Sequence, residues 1–372
     1  MPDRTVFIVG AGFSANAGLP LQSGFTKLFL KAEGFTTGRS RYLMPLLRSF
    51  VKETFGFKSK TDVSSYPELE DVFTMLDLSA NSGHHLGVKF APGELRKVRR
   101  MLLSRTIHML NTAYLNGKKN DQSEREQLLD FVSKLSPKRH KFVSLNWDVV
   151  LEGCLGELQP NMPFHYSPEI KPATIDDDDN ELKTCSIDKE VKSLLIAKMH
   201  GSINWLYCDC CRRAYSVPVD KVSRLGVQVL KLEEAAELYG KKAPSRLECP
   251  SCGVDLGVRL ATFSYRKALR APMFESSWLE AEKALRYADR WVFIGYSLPA
   301  ADFEFKYLLK RIQLARAESP EIFVVTKTDR DKVSPTLASY TKFFGKGNFT
   351  VFRDGLTTEA IDTITRANRV KR

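Results

Sequence analysis

Three short stretches of this 372-residue chain hold residue types that could do chemistry. Asn146-Trp147-Asp148 puts an amide and a carboxylate directly after the apolar run Phe142-Val143-Ser144-Leu145. The carboxyl end of a strand is where open α/β sheets bind ligands. Asn and Asp in such a place can also cap a following helix, here Val149 to Leu155. His200-Gly201-Ser202 follows the run Leu194 to Met199 in the same way. A histidine beside a glycine at a strand end can be a general base with room for a ligand, although a structural histidine would look the same. The other histidines lack this context: His84, His85 and His165 fall in loop-like regions, and His108 in a basic helix.

The third stretch is built of cysteines. Cys208-Asp209-Cys210-Cys211 and Cys249-Pro250-Ser251-Cys252-Gly253 form two C-x-x-C pairs, each able to turn two thiolates toward one tetrahedral Zn²⁺. Four thiolates, Cys208, Cys211, Cys249 and Cys252, would close the shell and make the site structural. Cys210 could stand in for Cys211, and two opposed redox pairs are the minor alternative. Five of the seven cysteines lie between Cys208 and Cys252, unlike the even framework of a secreted disulfide protein. Cys154 and Cys185 read as ordinary reduced thiols.

The elements that must position these groups alternate in type. Apolar β-rich segments at Thr5 to Val9, Phe142 to Leu145, Leu194 to Met199, Arg290 to Ile294, Glu321 to Thr326 and Phe349 to Phe352 are separated by helical stretches. That order predicts a Rossmann-like parallel sheet with helices on both faces. In one helix Phe274, Trp278, Ala281, Leu285 and Ala288 share the apolar face; in another, Arg96 to Leu115, Val98, Leu102, Met109, Leu110 and Ala113 do. The expected organisation is a core of 1–21, 137–206 and 260–372, a helical insertion over 22–136, and a small zinc-ribbon insertion over 207–259 with a charged helix near Leu230 to Tyr239.

Directly after the first strand comes Gly10-Ala11-Gly12-Phe13-Ser14-Ala15. The glycines permit a tight turn and close backbone approach, aiming N–H groups and a helix start at an anion, so Gly10, Ala11, Gly12, Phe13 and Ser14 are expected to hold a pyrophosphate. A hydride-transfer dehydrogenase shares this turn, but it needs a second strand ending in an acid; Glu33 has the spacing, whereas Phe25 to Ala32 before it looks helical.

Composition sets the outer bounds. Hydrophobic residues make up 43% and aromatics 10%, enough for a packed core. No run approaches the roughly 18 to 20 apolar residues of a membrane span, and Met1-Pro2-Asp3-Arg4 does not open a secretory signal, which places the chain in the cytoplasm. The net charge of +12 is spread over clusters such as Arg96-Lys97-Arg99-Arg100, Lys138-Arg139-His140-Lys141 and Arg366-Arg369-Lys371-Arg372. Such clusters either attract phosphates or nucleic acid or form solvated faces. The acidic run Asp176 to Asp179 reads as an exposed loop.

Taken in order, Gly10-Ala11-Gly12-Phe13-Ser14, Asn146-x-Asp148, His200-Gly201, the two cysteine pairs and Gly295-Tyr296-Ser297-Leu298 resemble the sirtuin (SIR2) superfamily over nearly the whole chain. Ile294 to Pro299 followed by Asp302-Phe303-Glu304, and the aromatic inside Leu145-Asn146-Trp147-Asp148, look like the SIR2-like branch of bacterial antiphage-defence NAD hydrolases. Gly18-Leu19-Pro20 is followed by Leu21-Gln22-Ser23 rather than Asp-Phe-Arg, and no Phe-Gly-Glu segment follows the second cysteine pair, both departures from protein deacetylases. The retained cysteine pairs are a departure in the other direction, because many defence relatives have lost them.

The resemblance implies NAD as substrate, cleaved to nicotinamide and ADP-ribose. Asn146 would orient the ribose and water, Asp148 hold the carboxamide and His200 act as base. Gly295, Ser297 and Thr326 would join the glycine turn in binding the dinucleotide. It also implies a restrained, oligomeric assembly, with a translocase-type ATPase or Argonaute-like protein as partner and nucleic acid met only indirectly. A protein deacylase, an ADP-ribosyltransferase or a non-catalytic NAD or ADP-ribose sensor are the alternatives.

Overall fold

β1 (Thr5–Val9) is buried at every position, because its side chains alternate between two cores. Phe7 and Val9 belong to one apolar cluster, and Val6 and Ile8 to the other. A strand covered on both faces reads as a continuous apolar run, the signature of a parallel sheet. The computed structural model describes residues 4–21, 42–56, 67–119, 123–186, 191–240, 245–261, 271–329 and 331–366. Glu33 and Phe25 to Ala32, the end of the Leu21-Gln22-Ser23 stretch and the basic residues Arg369, Lys371 and Arg372 lie outside them.

The other strands of the main sheet are β2 (His140–Ser144), β3 (Phe164–His165), β6 (Leu194–Lys198), β9 (Arg290–Ile294), β10 (Glu321–Val325) and β11 (Thr350–Phe352). They are ordered β11-β10-β9-β1-β2-β6-β3, and every pairing is parallel. All six expected strands are present. Helix α1 (Ala11–Ala15) follows β1. Among the described residues four further helices lie between it and β2: α2 (Leu43–Phe55), α3 (Leu69–Ser82), α4 (Pro92–Lys119) and α5 (Ser123–Ser133). After β2 comes α6 (Val150–Leu158). Helix α7 (Leu232–Tyr239) lies in the cysteine-bearing stretch, and α8 (Pro272–Tyr287), α9 (Phe303–Ala315), α10 (Pro335–Phe344) and α11 (Thr358–Thr365) accompany the later strands. This is a doubly wound α/β architecture.

Sequence reading missed a second, four-stranded sheet with the order β5-β4-β8-β7, made of β4 (Ile170–Ile175), β5 (Leu182–Thr184), β7 (Trp205–Tyr207) and β8 (Ala214–Ser216). Its strands are short, three residues in three cases, too brief for an alternation to be read. His165, expected in a loop, sits in β3. The acidic run forms the turn from β4 to β5, where Asp176 meets Lys183 and Asp177 meets Lys221 and Arg224.

The basic cluster on α4 is largely occupied within the fold. Arg99 lies 2.6 Å from Asp77, and Arg100 2.5 Å from Glu234 on α7. His140, in the second cluster, is buried, its Nδ1 accepting the Ser136 N–H at 3.0 Å. Burial, with the neighbouring Arg139 charge adding to it, pushes this imidazole down to about 4. The unfolded chain takes up a proton near pH 6.5 that the folded chain refuses, so stability is full above pH 6.5 and declines as pH falls toward 4. A shift of this size corresponds to about 3 kcal/mol. His140→Gln is expected to flatten that part of the acid slope, read from urea unfolding at pH 7 and pH 5; an unchanged slope would count against it.

Candidate functional site

At the carboxyl ends of β1, β2, β6, β9 and β10 the structure opens a cavity of about 460 Å³. Gly10, Ala11, Gly12, Ser14, Asn146, Asp148, His200, Gly295, Ser297 and Thr326 all line it. Phe13 does not. It is 1% exposed and packs edge-on to Phe131 in the core below the turn.

The glycine turn is fixed by backbone hydrogen bonds to the end of β9 and the loop after it. Gly10 N–H donates to Ile294 O, Gly12 N–H to Gly295 O and Phe13 N–H to Gly10 O, so these donors act within the protein. A Cβ on Gly10 would stand 2.7 Å from Gly295 O, and one on Gly295, whose φ is +59°, 2.2 Å from Phe13 N. Gly295→Ala therefore combines left-handed strain with a backbone clash, together about 3 kcal/mol. A large drop in the denaturant midpoint is the expected result, and a midpoint within error of wild type would contradict the packing argument.

Asn146 follows β2 by two residues, which carries its side chain across to the glycine turn. Its Nδ2 donates to Gly10 O and to Ser14 Oγ, both at 2.9 Å. With both amide protons used on the protein, the carbonyl Oδ1 is the group able to accept from a ligand hydroxyl or water. Asp148 is buried and lines the cavity, and its Oδ1 accepts the Val150 N–H at 3.0 Å, two residues on at the start of α6. Burial raises its carboxyl above the ordinary range, while the Lys198 charge and hydrogen bonds from Ser14 and Val150 act to keep it ionised. Ser14 thus links Asn146 to Asp148.

His200 sits just beyond β6 and is 2% exposed. Its Nδ1 lies 3.1 Å from Leu145 O, and its Nε2 3.6 Å from Asp302 Oδ1. Asp302 Oδ2 in turn accepts from the Tyr296 hydroxyl at 2.9 Å. Behind the site, Lys198 pairs with Glu152 at 3.1 Å, both almost fully buried, and also donates to the Asp148 carbonyl. Tyr166 donates to the same Glu152 oxygen at 2.9 Å. A buried pair of this kind is held by its hydrogen bonds and costs several kcal/mol to break from one side. Glu70, from the first turn of α3, also borders the cavity. Nothing in its local sequence marks it, since only the fold brings the helical segment over the sheet.

The cysteine cluster lies apart from the cavity. Cys208, Cys211, Cys249 and Cys252 place their sulfurs within 4.8 Å of one another, with Cys208 to Cys252 at 3.4 Å and Cys211 to Cys249 at 3.6 Å. Four sulfurs about 2.3 Å from a tetrahedral Zn²⁺ stand about 3.8 Å apart, so the set fits that ion. Both turns are alike: Arg212 at φ +62° and Gly253 at φ +71° follow the second cysteine of each pair. Their N–H groups donate to Cys208 O and Cys249 O. Cys210 is exposed and lies outside the cluster, whereas Cys211 lies within it.

No family model matches this chain, and no curated protein does. Among solved structures it is similar to a Sir2 homologue in complex with NAD, with 14% identity, 98% of this chain and 89% of that chain covered, and a TM-score of 0.39. It is also similar to a variant Sir2 homologue in complex with ADP-ribose, at 12% identity, 98% and 91% coverage and a TM-score of 0.41. A third, from work on the mechanism and regulation of Sir2 enzymes, has 15% identity, 98% and 91% coverage and a TM-score of 0.35. Identities this low leave substrate and chemistry to be argued from this chain's own residues.

Proposed function

We propose that this protein hydrolyses NAD at the nicotinamide–ribose bond, giving nicotinamide and ADP-ribose. One observation carries the reading: Asn146, tied by its amide protons to the glycine turn, and His200 border the same cavity as that turn. A dinucleotide whose phosphates lie along Gly10 to Ser14 and Gly295 to Ser297 would bring its glycosidic bond toward Asn146 and His200. Thr326, at the end of β10, borders the opposite side, where the adenosine ribose would lie.

The nicotinamide of NAD already carries positive charge, so the bond breaks with its electron pair passing to the ring nitrogen and an oxocarbenium-like ribose left behind. Asn146 Oδ1 would accept from the ribose or the attacking water and fix its approach. Asp148 would accept from the carboxamide N–H. His200 would take the water's proton. The motif order quoted above supports the same assignment, and the missing peptide-pairing segment favours water over an acylated peptide as the nucleophile. A role in antiphage defence by NAD depletion is part of the same proposal, resting on the resemblance of Ile294 to Pro299 and Asp302-Phe303-Glu304.

Purified protein incubated with NAD, with and without an acetylated peptide, separates the readings. Nicotinamide released without peptide is the expected result. Release only with peptide would assign a deacylase instead, and binding of NAD with no release under either condition would leave a sensor.

A further inference from the structure

A second cavity, of about 630 Å³, lies behind α6, walled by α4 on one side and by β3, β4 and β8 on the other. It shares no lining residue with the cavity at the strand ends. Two glycines on α6 leave room for it. A Cβ on Gly153 would stand 1.8 Å from the Tyr114 hydroxyl oxygen, and one on Gly156 would meet nothing within 4 Å. The walls are mostly apolar, Leu115, Ile170, Pro172 and Val219 among them, and the rings of Phe164 and Tyr166 border the space edge-on to each other. A concave, largely apolar space of about 300 to 1,000 Å³ with few polar groups is the usual form of a small-molecule site.

Glu152 gives this space its direction. The residue lines the cavity and is 3% exposed. Its Oε1 accepts from Lys198 Nζ at 3.1 Å and from the Tyr166 hydroxyl at 2.9 Å. No described residue donates to Oε2, which is the oxygen left to accept from a ligand. Lys198 already balances the charge of this carboxylate, and at the rim Glu157 is matched by Lys118 and Arg125. An added ion would enter the apolar space without a counter-charge of its own, so the donor that fits Oε2 is a neutral N–H.

From this we infer that the cavity behind α6 is a second ligand site, one that takes a small neutral aromatic molecule through an N–H donor to Glu152 and is coupled to the first cavity. The binding stands on this cavity alone; its effect on the reaction rests on the NAD-cleaving reading. Lys198 Nζ spans the two sites, donating to Glu152 on one side and to the Asp148 carbonyl on the other. A donor at Oε2 takes up part of the Glu152 charge. That loosens the carboxylate's pull on Lys198 and relieves the negative field it exerts on Asp148, the residue that would receive the carboxamide.

Indole supplies a flat apolar body with one neutral N–H, and 1-methylindole the same body without it. Calorimetric titration of both into wild type, Gly156→Leu and Val219→Trp tests the site, because the two substitutions fill the cavity from opposite walls. Leucine also has the higher helix propensity, so Gly156→Leu should keep the thermal midpoint of wild type. Indole is expected to bind wild type at one site, 1-methylindole about tenfold more weakly, and neither variant should bind indole. Failure of indole to bind, equal affinities for the two probes, or binding undiminished in both variants would overturn the site. In parallel, saturating indole should lower the KM for NAD about fivefold in wild type and leave it unchanged in Gly156→Leu. Bound indole with an unmoved KM would overturn the coupling. If indole binds as stated but wild type releases no nicotinamide, the second site stands and the NAD-cleaving reading fails.

Discussion

Asn146→Ala should lower peptide-independent nicotinamide release about 10³-fold at saturating NAD, the scale seen when a group that orients reactants or stabilises transition-state charge is removed. The alanine deletes Oδ1, the acceptor this side chain keeps for a ligand, and it strips Gly10 O and Ser14 Oγ of the amide donor each receives at 2.9 Å. Ser14 keeps its bond to Asp148, so the dinucleotide platform should survive and NAD should still bind, measurably by calorimetry. Asn146→Asp separates the two functions of the side chain. Its carboxylate can still accept at the ligand side, but it cannot donate to Gly10 O, and it brings a second negative charge toward Asp148. Release should be as low as in the alanine variant, with NAD bound more weakly. A variant of either kind that keeps a tenth or more of the wild-type rate would remove Asn146 from the chemistry.

The parts of this site that were legible in the sequence are those in which chemistry and local backbone coincide. Asn146, His200 and the glycine turn each stand within two residues of an apolar strand, and a parallel strand buried on both faces is hard to mistake. The cysteine pairs were equally plain, because ligand spacing is a local property. What the sequence did not disclose depends on register and on distance along the chain. The contact of Asp302 with His200 spans two strand ends, and Glu70 reaches the cavity from a helix whose placement no local pattern specifies. The Lys198 to Glu152 pair was also hidden, since a lysine in an apolar strand reads as an exposed edge position until its partner is located. Phe13 shows the converse case: a residue inside a binding motif by position whose side chain lies on the face of the short helix that packs on Phe131 in the core. The basic cluster on α4 misleads in the same manner, since the carboxylates that meet Arg99 and Arg100 come from other helices.

Metal removal should have the larger structural effect, and it should reach the candidate active site. One zinc per chain is expected by metal analysis, lost in Cys249→Ser and kept in Cys210→Ser, whose sulfur lies outside the cluster. Structural zinc contributes about 10 to 16 kcal/mol of apparent binding free energy in isolated zinc-finger peptides. Here part of the order comes from packing, because Trp205, Tyr215 and Leu247 are buried in the main core, so the stretch should loosen rather than unfold the whole chain. The loosening has a defined route inward. Tyr207 and Gly257 exchange both backbone hydrogen bonds, at 2.7 and 2.9 Å, joining the segments that carry the two cysteine pairs. A few residues on, Ala261 donates its N–H to His200 O and accepts from Trp147 Nε1, both at 3.0 Å. Ala261 thereby holds the backbone of the base and the residue between Asn146 and Asp148. With the metal gone, proteolysis should begin within the cysteine-bearing stretch, and nicotinamide release should fall at least tenfold before global unfolding is seen by circular dichroism. Full activity in metal-free protein would mean that β6 and the Leu145 carbonyl hold His200 without help from the cysteine module.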